Sequence, residues 1–231
     1  MSTQQNFKKQ LFADFARIGR ALSNGNRLEL LEYLAQGERT VETLANLTGL
    51  SIANTSQHLQ LLHRSGLVAT RREGLYVHYR LAALQVTRLI GMMRKLAESQ
   101  LADVDRLVQS YLTKKDRLEP IPRAELLQRA REGLVTVLDV RPEEEFAAGH
   151  LPGALNIPLK KLEQKLEGLP HDQEVVAYCR GPYCVLAYEA VAKLRAKGFK
   201  ARRLEDGFPE WKLAGLPVEE ATTLEKEKAK S

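Results

Sequence analysis

The stretch Val175-Val176-Ala177-Tyr178-Cys179-Arg180-Gly181-Pro182-Tyr183-Cys184 decides how the second half of this chain reads. Its first four residues form a short apolar run of buried-strand type. Beyond it, Val185, Leu186, Tyr188, Val191, Ala192 and Leu194 recur with a helical period as far as Lys197. The chain thus passes from strand to helix through a loop with a cysteine at each end. These are the only 2 cysteines in 231 residues, so thiol chemistry, redox switching or thiolate metal binding is confined to this loop. A helix N-terminus offers unpaired N–H groups and the positive end of a dipole, which bind anions and lower a thiol's pKa. That position favours a reactive thiol over a pair of buried structural cysteines.

Working outward, Leu134-Val135-Thr136-Val137-Leu138-Asp139-Val140 is a second apolar run, of parallel-strand type. Arg141-Pro142-Glu143-Glu144-Glu145-Phe146 opens a helix with Pro142 at a first-turn position. Gly149-His150-Leu151-Pro152-Gly153-Ala154-Leu155-Asn156-Ile157-Pro158 is a turn-rich passage into another short strand. Asp139-Val140-Arg141, Glu145, Gly149 to Ala154 and Pro158 resemble the motif of a rhodanese domain, in order. The resemblance continues through Tyr178-Cys179-Arg180-Gly181 and Leu204-Glu205-Asp206-Gly207-Phe208-Pro209-Glu210-Trp211. It ends at Ala214-Gly215-Leu216-Pro217-Val218, and so covers residues 121–218. It implies an α/β fold, a parallel sheet with helices on both faces and a site at a strand's C-terminal end.

The same resemblance implies that Cys179 is a nucleophile. Its thiolate would take sulfane sulfur from a donor such as thiosulfate or a persulfide, and hold it as a persulfide. The backbone of Arg180, Gly181, Pro182, Tyr183 and Val185 would form an anion cradle, helped by the Arg180 side chain if it points inward. Asp139, Arg141, Glu145 and His150 stand where the family keeps a structural polar network that orients loops. Trp211 reads as a core or rim anchor. Two departures stand out. Cys184 occupies a loop position that often holds a hydroxyl or basic residue. It either resolves a Cys179 persulfide by closing an intraloop disulfide or is a small apolar filler. Bridging is expected to bend the loop, because the two Cα atoms must come within about 7 Å. Val185 stands where phosphatases and arsenate reductases of related loop type need an arginine to clamp a tetrahedral oxyanion. That argues against phosphate or arsenate chemistry.

The first half differs. Residues 1–117 hold 17 Lys/Arg against 10 Asp/Glu, whereas the rest holds 18 against 19. A basic half beside a near-neutral half points to a nucleic-acid-facing module. Phe7, Leu11, Phe15, Ile18 and Leu22 share one face of a helix over residues 5–22. A second helix follows Ser23-Asn24-Gly25-Asn26, with Leu28, Leu31 and Leu34 inward. Thr40 caps a third helix, Val41 to Leu47, and Ser51 caps a fourth after the turn Thr48-Gly49-Leu50. This is a helix-turn-helix pattern. In the fourth helix Ile52, Thr55, Leu59 and Leu62 face the core. Ala53, Asn54, Ser56, Gln57 and Gln60 are left small or polar and free of acid at the N-terminal end, as suits approach to base edges and phosphates; the cap Ser51 and the helix-surface or phosphate-side His58 complete the DNA-binding candidates. Residues 66–81 read as a hairpin turning at Arg72-Glu73-Gly74, a wing whose Arg71 and Arg72 contact phosphates. A long helix from Leu84 to Leu112 carries a wide apolar stripe and, with the first helix, forms a dimer seam.

Ser51 to Leu81, including Ser56-Gln57-His58-Leu59, Gly66-Leu67-Val68 and Arg72-Glu73-Gly74, resembles the ArsR family of winged-helix regulators, over residues 7–112. The resemblance implies a homodimer that reads double-stranded DNA with two half-sites. The metal-sensing members keep cysteines before the turn, or His, Asp and Glu ligands on the terminal helix. Here Val41 to Leu47 has no cysteine and the terminal helix no histidine, so neither metal nor cofactor is expected.

The expected layout is a mainly α winged helix-turn-helix with a β-hairpin wing over 1–113, a linker over 114–120, a rhodanese-like domain over 121–218 and a charged, disordered tail over 219–231. Hydrophobic content of 44% and charged content of 28% suit globular domains. No apolar run nears the roughly 20 residues of a membrane span, and the N-terminus lacks a signal-peptide core. A cytoplasmic location, with no membrane partner, is expected. Three functions remain open at this level. One is a transcriptional regulator that senses sulfane sulfur through Cys179. Another is a thiosulfate or persulfide sulfurtransferase with an uncoupled, autoregulatory DNA-binding domain. The third is a regulator with an idle rhodanese fold, which retention of Cys179 disfavours.

Overall fold

Helix α1 (Thr3–Leu22) is followed by α2 (Gly25–Gln36), which Asn24 caps by accepting a hydrogen bond from the Arg27 N–H at 3.2 Å. The computed structural model describes residues 3–113 and 120–220. The expected linker, apart from Pro120, and the tail beyond residue 220 lie outside the described residues. The chain divides into two compact units, Met1–Ile90 and Gly91–Ser231.

In the first unit a two-residue strand, β1 (Arg39–Thr40), precedes α3 (Val41–Thr48) and α4 (Ile52–Arg64). Thr40 and Ser51 cap these helices through side-chain oxygens that accept from the N–H groups of Thr43 and Asn54, as the sequence indicated. The wing is β2 (Val68–Glu73) and β3 (Tyr76–Leu81). Its tight turn is Gly74-Leu75, slightly later than expected, because Glu73 still pairs with Tyr76. Gly74 takes φ +58°, a left-handed conformation costly for residues with a Cβ. β1 adds to the far edge of β3, giving an antiparallel order β1-β3-β2. Leu30, Leu31, Leu44, Leu59, Leu62 and Val86 form the core.

The expected single helix from Leu84 to Leu112 is divided. Helix α5 (Leu84–Gln100) ends where Leu101 turns extended, at φ −112° and ψ 99°. Helix α6 (Ala102–Val108) then starts afresh and passes into one π-helical turn, Gln109–Thr113. Asp103 and Asp105 lie in the first turn of α6, where the helix dipole favours acids, so the sequence supports a new start there.

The second unit contains α7 (Arg123–Arg131), β4 (Val135–Asp139), α8 (Glu143–Ala148), β5 (Leu155–Asn156), β6 (Glu174–Tyr178), α9 (Val185–Ala196), β7 (Ala201–Arg203) and α10 (Phe208–Leu213). The four strands are parallel, in the order β5-β4-β6-β7. β6 is interior, and alternation along it feeds two cores. Val175, Ala177 and Cys179 join the cluster on the α9 side. Val176 and Tyr178 join the cluster with Leu151, Phe208 and Trp211 on the other. A strand covered on both faces has no polar side to show, hence the unbroken apolar run. Trp211 is a core residue, its Nε1–H donating to Pro217 O at 2.8 Å. Glu219, assigned by sequence to the tail, pairs with His150 instead, through backbone bonds of 2.8 and 3.0 Å.

Candidate functional site

The exposed surface of α4 presents Ala53, Asn54 and Gln57, with Ser51 at its cap and Ser56 and His58 half-buried. Thr55, Leu59 and Leu62 are buried as expected, but Ile52 is 55% exposed. Inward packing of α4 thus begins at Thr55 rather than at Ile52. Ile52 therefore joins the polar residues on the outer surface. Partial burial, followed by the Arg27 charge, lowers the His58 pKa from its ordinary 6.5. The ring is thus mostly neutral near pH 7 and is a weak candidate for a phosphate cation.

The two wing arginines are not equivalent. Arg71 donates from Nη1 to Glu73 at 2.8 Å and from Nε to Glu38 at 2.9 Å. Those hydrogen bonds, with the nearby carboxylate charges, raise its pKa. Arg72, the next residue on β2, projects from the opposite face of the ribbon. Among the described residues it makes no ion pair.

In the second unit the loop after β6 carries both cysteines. Cys179 O accepts from the Phe208 N–H at 3.0 Å, and the side chain is buried, 1% exposed. Cys184 is the residue that caps α9, and its N–H is spent on Gly181 O at 3.1 Å. The two sulfurs are bonded as a disulfide with Cα atoms 6.1 Å apart. The loop closes this bridge while Cys184 still caps α9 and Tyr188 Oη donates to Pro182 O at 3.2 Å. Gly207 presses on the same loop. A Cβ on it would lie 2.3 Å from Gly181 N and 2.5 Å from the Arg180 carbonyl carbon.

The cradle differs from expectation in two respects. Pro182 has no N–H to donate, and the Cys184 N–H is already used. That leaves Arg180, Gly181, Tyr183 and Val185 as the backbone donors of the expected cradle. The Arg180 side chain does not turn into the cradle. Its Nη2 donates to Glu145 Oε1 at 2.7 Å and its Nε to Oε2 at 2.9 Å. Glu145 is 2% exposed, so its charge needs this partner.

Asp139, Arg141 and His150 are buried and hydrogen-bonded. Asp139 and Arg141 are both fully buried. Asp139 accepts from the Arg141 backbone N–H at 2.9 Å and from Nη2 at 2.6 Å, while Nη2 also donates to Gly149 O at 2.8 Å. Burial opposes the Arg141 charge, but Asp139's attraction and hydrogen bonds outweigh it, and the pKa is raised. The guanidinium lies 4.3 Å from the centre of the Phe208 ring. Burial, and then the Asp139 charge, push the Tyr178 hydroxyl well above its usual pKa, so it stays protonated beside this pair. Its oxygen accepts from the Leu151 N–H at 3.1 Å. His150 stacks on Phe146 at 3.6 Å and contacts Phe146 O through Nδ1 at 2.9 Å. Among the described residues, no three His, Cys, Asp or Glu side chains gather as a metal site requires. Nor is any described helix long and apolar enough to cross a membrane.

Two family models match this chain. Residues 24–70 match the bacterial regulatory protein, arsR family, and residues 122–214 match the rhodanese-like domain. An HTH-type transcriptional regulator of Mycobacterium tuberculosis is 47% identical over 97% of this chain and 98% of its own length. A sulfurtransferase of Allochromatium vinosum is 33% identical over 36% of this chain and 78% of its own. Among solved structures, the homodimeric winged helix-turn-helix DNA-binding domain of a possible ArsR-family regulator from Mycobacterium bovis is 44% identical. It covers 44% of this chain and 94% of that one, with a TM-score of 0.40.

Proposed function

Because this chain belongs to the ArsR family of helix-turn-helix transcriptional regulators, with a rhodanese-like domain C-terminal to the helix-turn-helix, we propose that it couples operator binding to sulfane sulfur held on Cys179. The observation that carries the proposal is the position of Cys179. It ends an interior parallel strand, starts the loop into α9 and packs under that helix, where a thiolate is stabilised and an anionic donor attracted. The thiolate attacks the outer sulfur of thiosulfate or of a persulfide. The sulfur–sulfur bond of the donor breaks, and Cys179 keeps the transferred atom as a persulfide. Sulfurtransferase activity at Cys179 is the enzymatic face of the same step. Asp139, Arg141, Glu145 and His150 hold the surrounding loops, and Arg180 acts through Glu145 rather than on the donor.

On the DNA side, α4 lies in the major groove with Asn54, Ser56 and Gln57 toward base edges, and the wing reaches the phosphate backbone. The chain works as a homodimer. Phe7, Phe12 and Phe15 of α1 are exposed, and so, separately, are Leu89, Met92 and Leu96 along α5; large apolar side chains left out on each helix suit burial against a second copy. A twofold dimer reads two half-sites. The setting is the cytoplasm, where thiols rest reduced until a donor arrives.

The test is operator binding by wild type and Cys179→Ser, with and without inorganic polysulfide. Polysulfide should change the affinity of wild type and leave Cys179→Ser unmoved. If Cys179 takes up sulfur and operator affinity stays constant, sulfur transfer and DNA binding are uncoupled.

A further inference from the structure

We infer that Cys184 is a second reacting thiol, one that resolves the Cys179 persulfide and turns sulfur uptake into a closed intraloop disulfide. The inference rests on the reading of Cys179 given above and goes one step past it.

Three observations carry it. The two side chains meet: Cys179 and Cys184 are bridged, with Cα atoms 6.1 Å apart, inside the ordinary range for disulfides. The loop that brings them together is held from several sides, by Tyr188 at Pro182, by Phe208 at Cys179 and by the tight packing of Gly207 against Gly181. Cys184 also stands at the N-cap of α9 without any side-chain hydrogen bond to the helix, so its sulfur lies at the dipole's positive end, which favours the thiolate once the bridge is open. A filler would need none of this, whereas an attacking thiol needs both reach and thiolate character.

The chemistry balances without an outside oxidant. Cys179 thiolate takes a sulfur atom from thiosulfate, and sulfite leaves. The Cys184 sulfur then attacks the Sγ atom of Cys179. The bond from Sγ to the transferred sulfur breaks, and that atom leaves with the electron pair and the Cys184 proton as hydrosulfide. The sulfane sulfur is reduced to sulfide, and the two thiols are oxidised to the disulfide. Two equivalents of an external thiol reopen the loop by exchange. In the closed form Cys179 is 1% exposed and Cys184 9%. With its sulfur bonded to Cys184, Cys179 offers no thiolate to a second donor until a thiol has entered at the less buried Cys184 and reset the loop. Each loading event gives one lasting change of state, as a sensor requires.

The experiment is intact-protein mass spectrometry on reduced, full-length chain treated anaerobically with inorganic polysulfide and then desalted. Wild type should end about 2 mass units below the reduced protein, as loss of two protons on bridging requires. Cys184→Ser and Cys184→Ala should each stop at a stable adduct, about 32 mass units heavier per retained sulfur. Cys179→Ser should take up nothing. If wild type holds the same adduct as the Cys184 variants, Cys184 only packs; the inference falls and Cys179 loading stands. If neither Cys184 variant takes up sulfur while wild type still bridges, the persulfide is not the intermediate and the inference falls as well. If no form takes up sulfur or bridges, the reading of Cys179 itself fails.

Discussion

The Glu145 carboxylate holds the Arg180 guanidinium from two sides, at 2.7 Å to Nη2 and 2.9 Å to Nε, and so commits the only basic side chain of the cysteine loop to α8. In the proposed reaction the backbone N–H groups at the start of α9 are left to meet a donor's charge. The arginine instead ties the reactive loop to α8, the helix that carries Glu145.

Removing this carboxylate breaks a largely buried ion pair. Glu145→Ala should therefore destabilise the second unit by about 3 kcal/mol, the lower end for breaking a buried pair. Urea unfolding, followed by Trp211 fluorescence in that unit's core, reads the change. Arg180→Met, which fills similar volume without a charge, should still accept sulfur on Cys179 if Arg180 acts only through Glu145.

Gly207→Ala introduces a methyl group 2.3 to 2.5 Å from the backbone of Gly181 and Arg180, where only main chain is available to move. The loop must shift, at a cost of about 1–3 kcal/mol in overpacking. Sulfur uptake by Cys179 should slow while operator binding by the untreated protein is unchanged. Uptake at the wild-type rate would mean that the loop tolerates displacement.

On the wing, Arg72→Ala should lower the slope of log affinity against log salt by about 0.9, the value of one phosphate contact. Arg71→Ala should lower it less, because Arg71 must first leave Glu38 and Glu73 to reach a phosphate. Removing both should weaken binding to operator and random DNA alike. Fluorescence anisotropy across a salt series checks all three, and equal single-variant slopes would contradict the asymmetry.

On α4, Gln57→Ala should act differently, narrowing the gap between operator and random DNA by about 1–3 kcal/mol, as loss of a base-edge contact does. Ser56→Ala should shift the gap in the same direction. Equal loss on both DNAs would remove α4 from base recognition.

Much of this molecule is legible in short stretches of chain. The caps Thr40 and Ser51, the interior strands β4 and β6 and the cysteine loop are written in neighbouring residues, because capping and side-chain alternation act over a few positions. The two-residue β1 was missed, since Arg39-Thr40 has no periodicity and becomes a strand only by pairing with Tyr79 and His78. The division at Leu101 was missed because the apolar stripe runs straight across it; the acids at 103 and 105 were the available signal.

The sequence by itself determined that the chain has a winged-helix half and a rhodanese-like half, and that any thiol chemistry lies between residues 179 and 184. The two halves are named by the resemblance of their ordered motifs to two families, and the place of the thiol chemistry by the count of cysteines; each signal is complete within short segments. The tertiary structure decided what the side chains in those segments face. Arg180 meets a carboxylate 35 residues away, Arg71 one that is 33 residues away, and Gly207 closes on Gly181 from a separate turn. Ile52 comes out onto the surface although Thr55, three residues on, is buried. Such partners are selected by packing between distant segments, where charge pairing and steric contact depend on three-dimensional neighbours that no local pattern encodes.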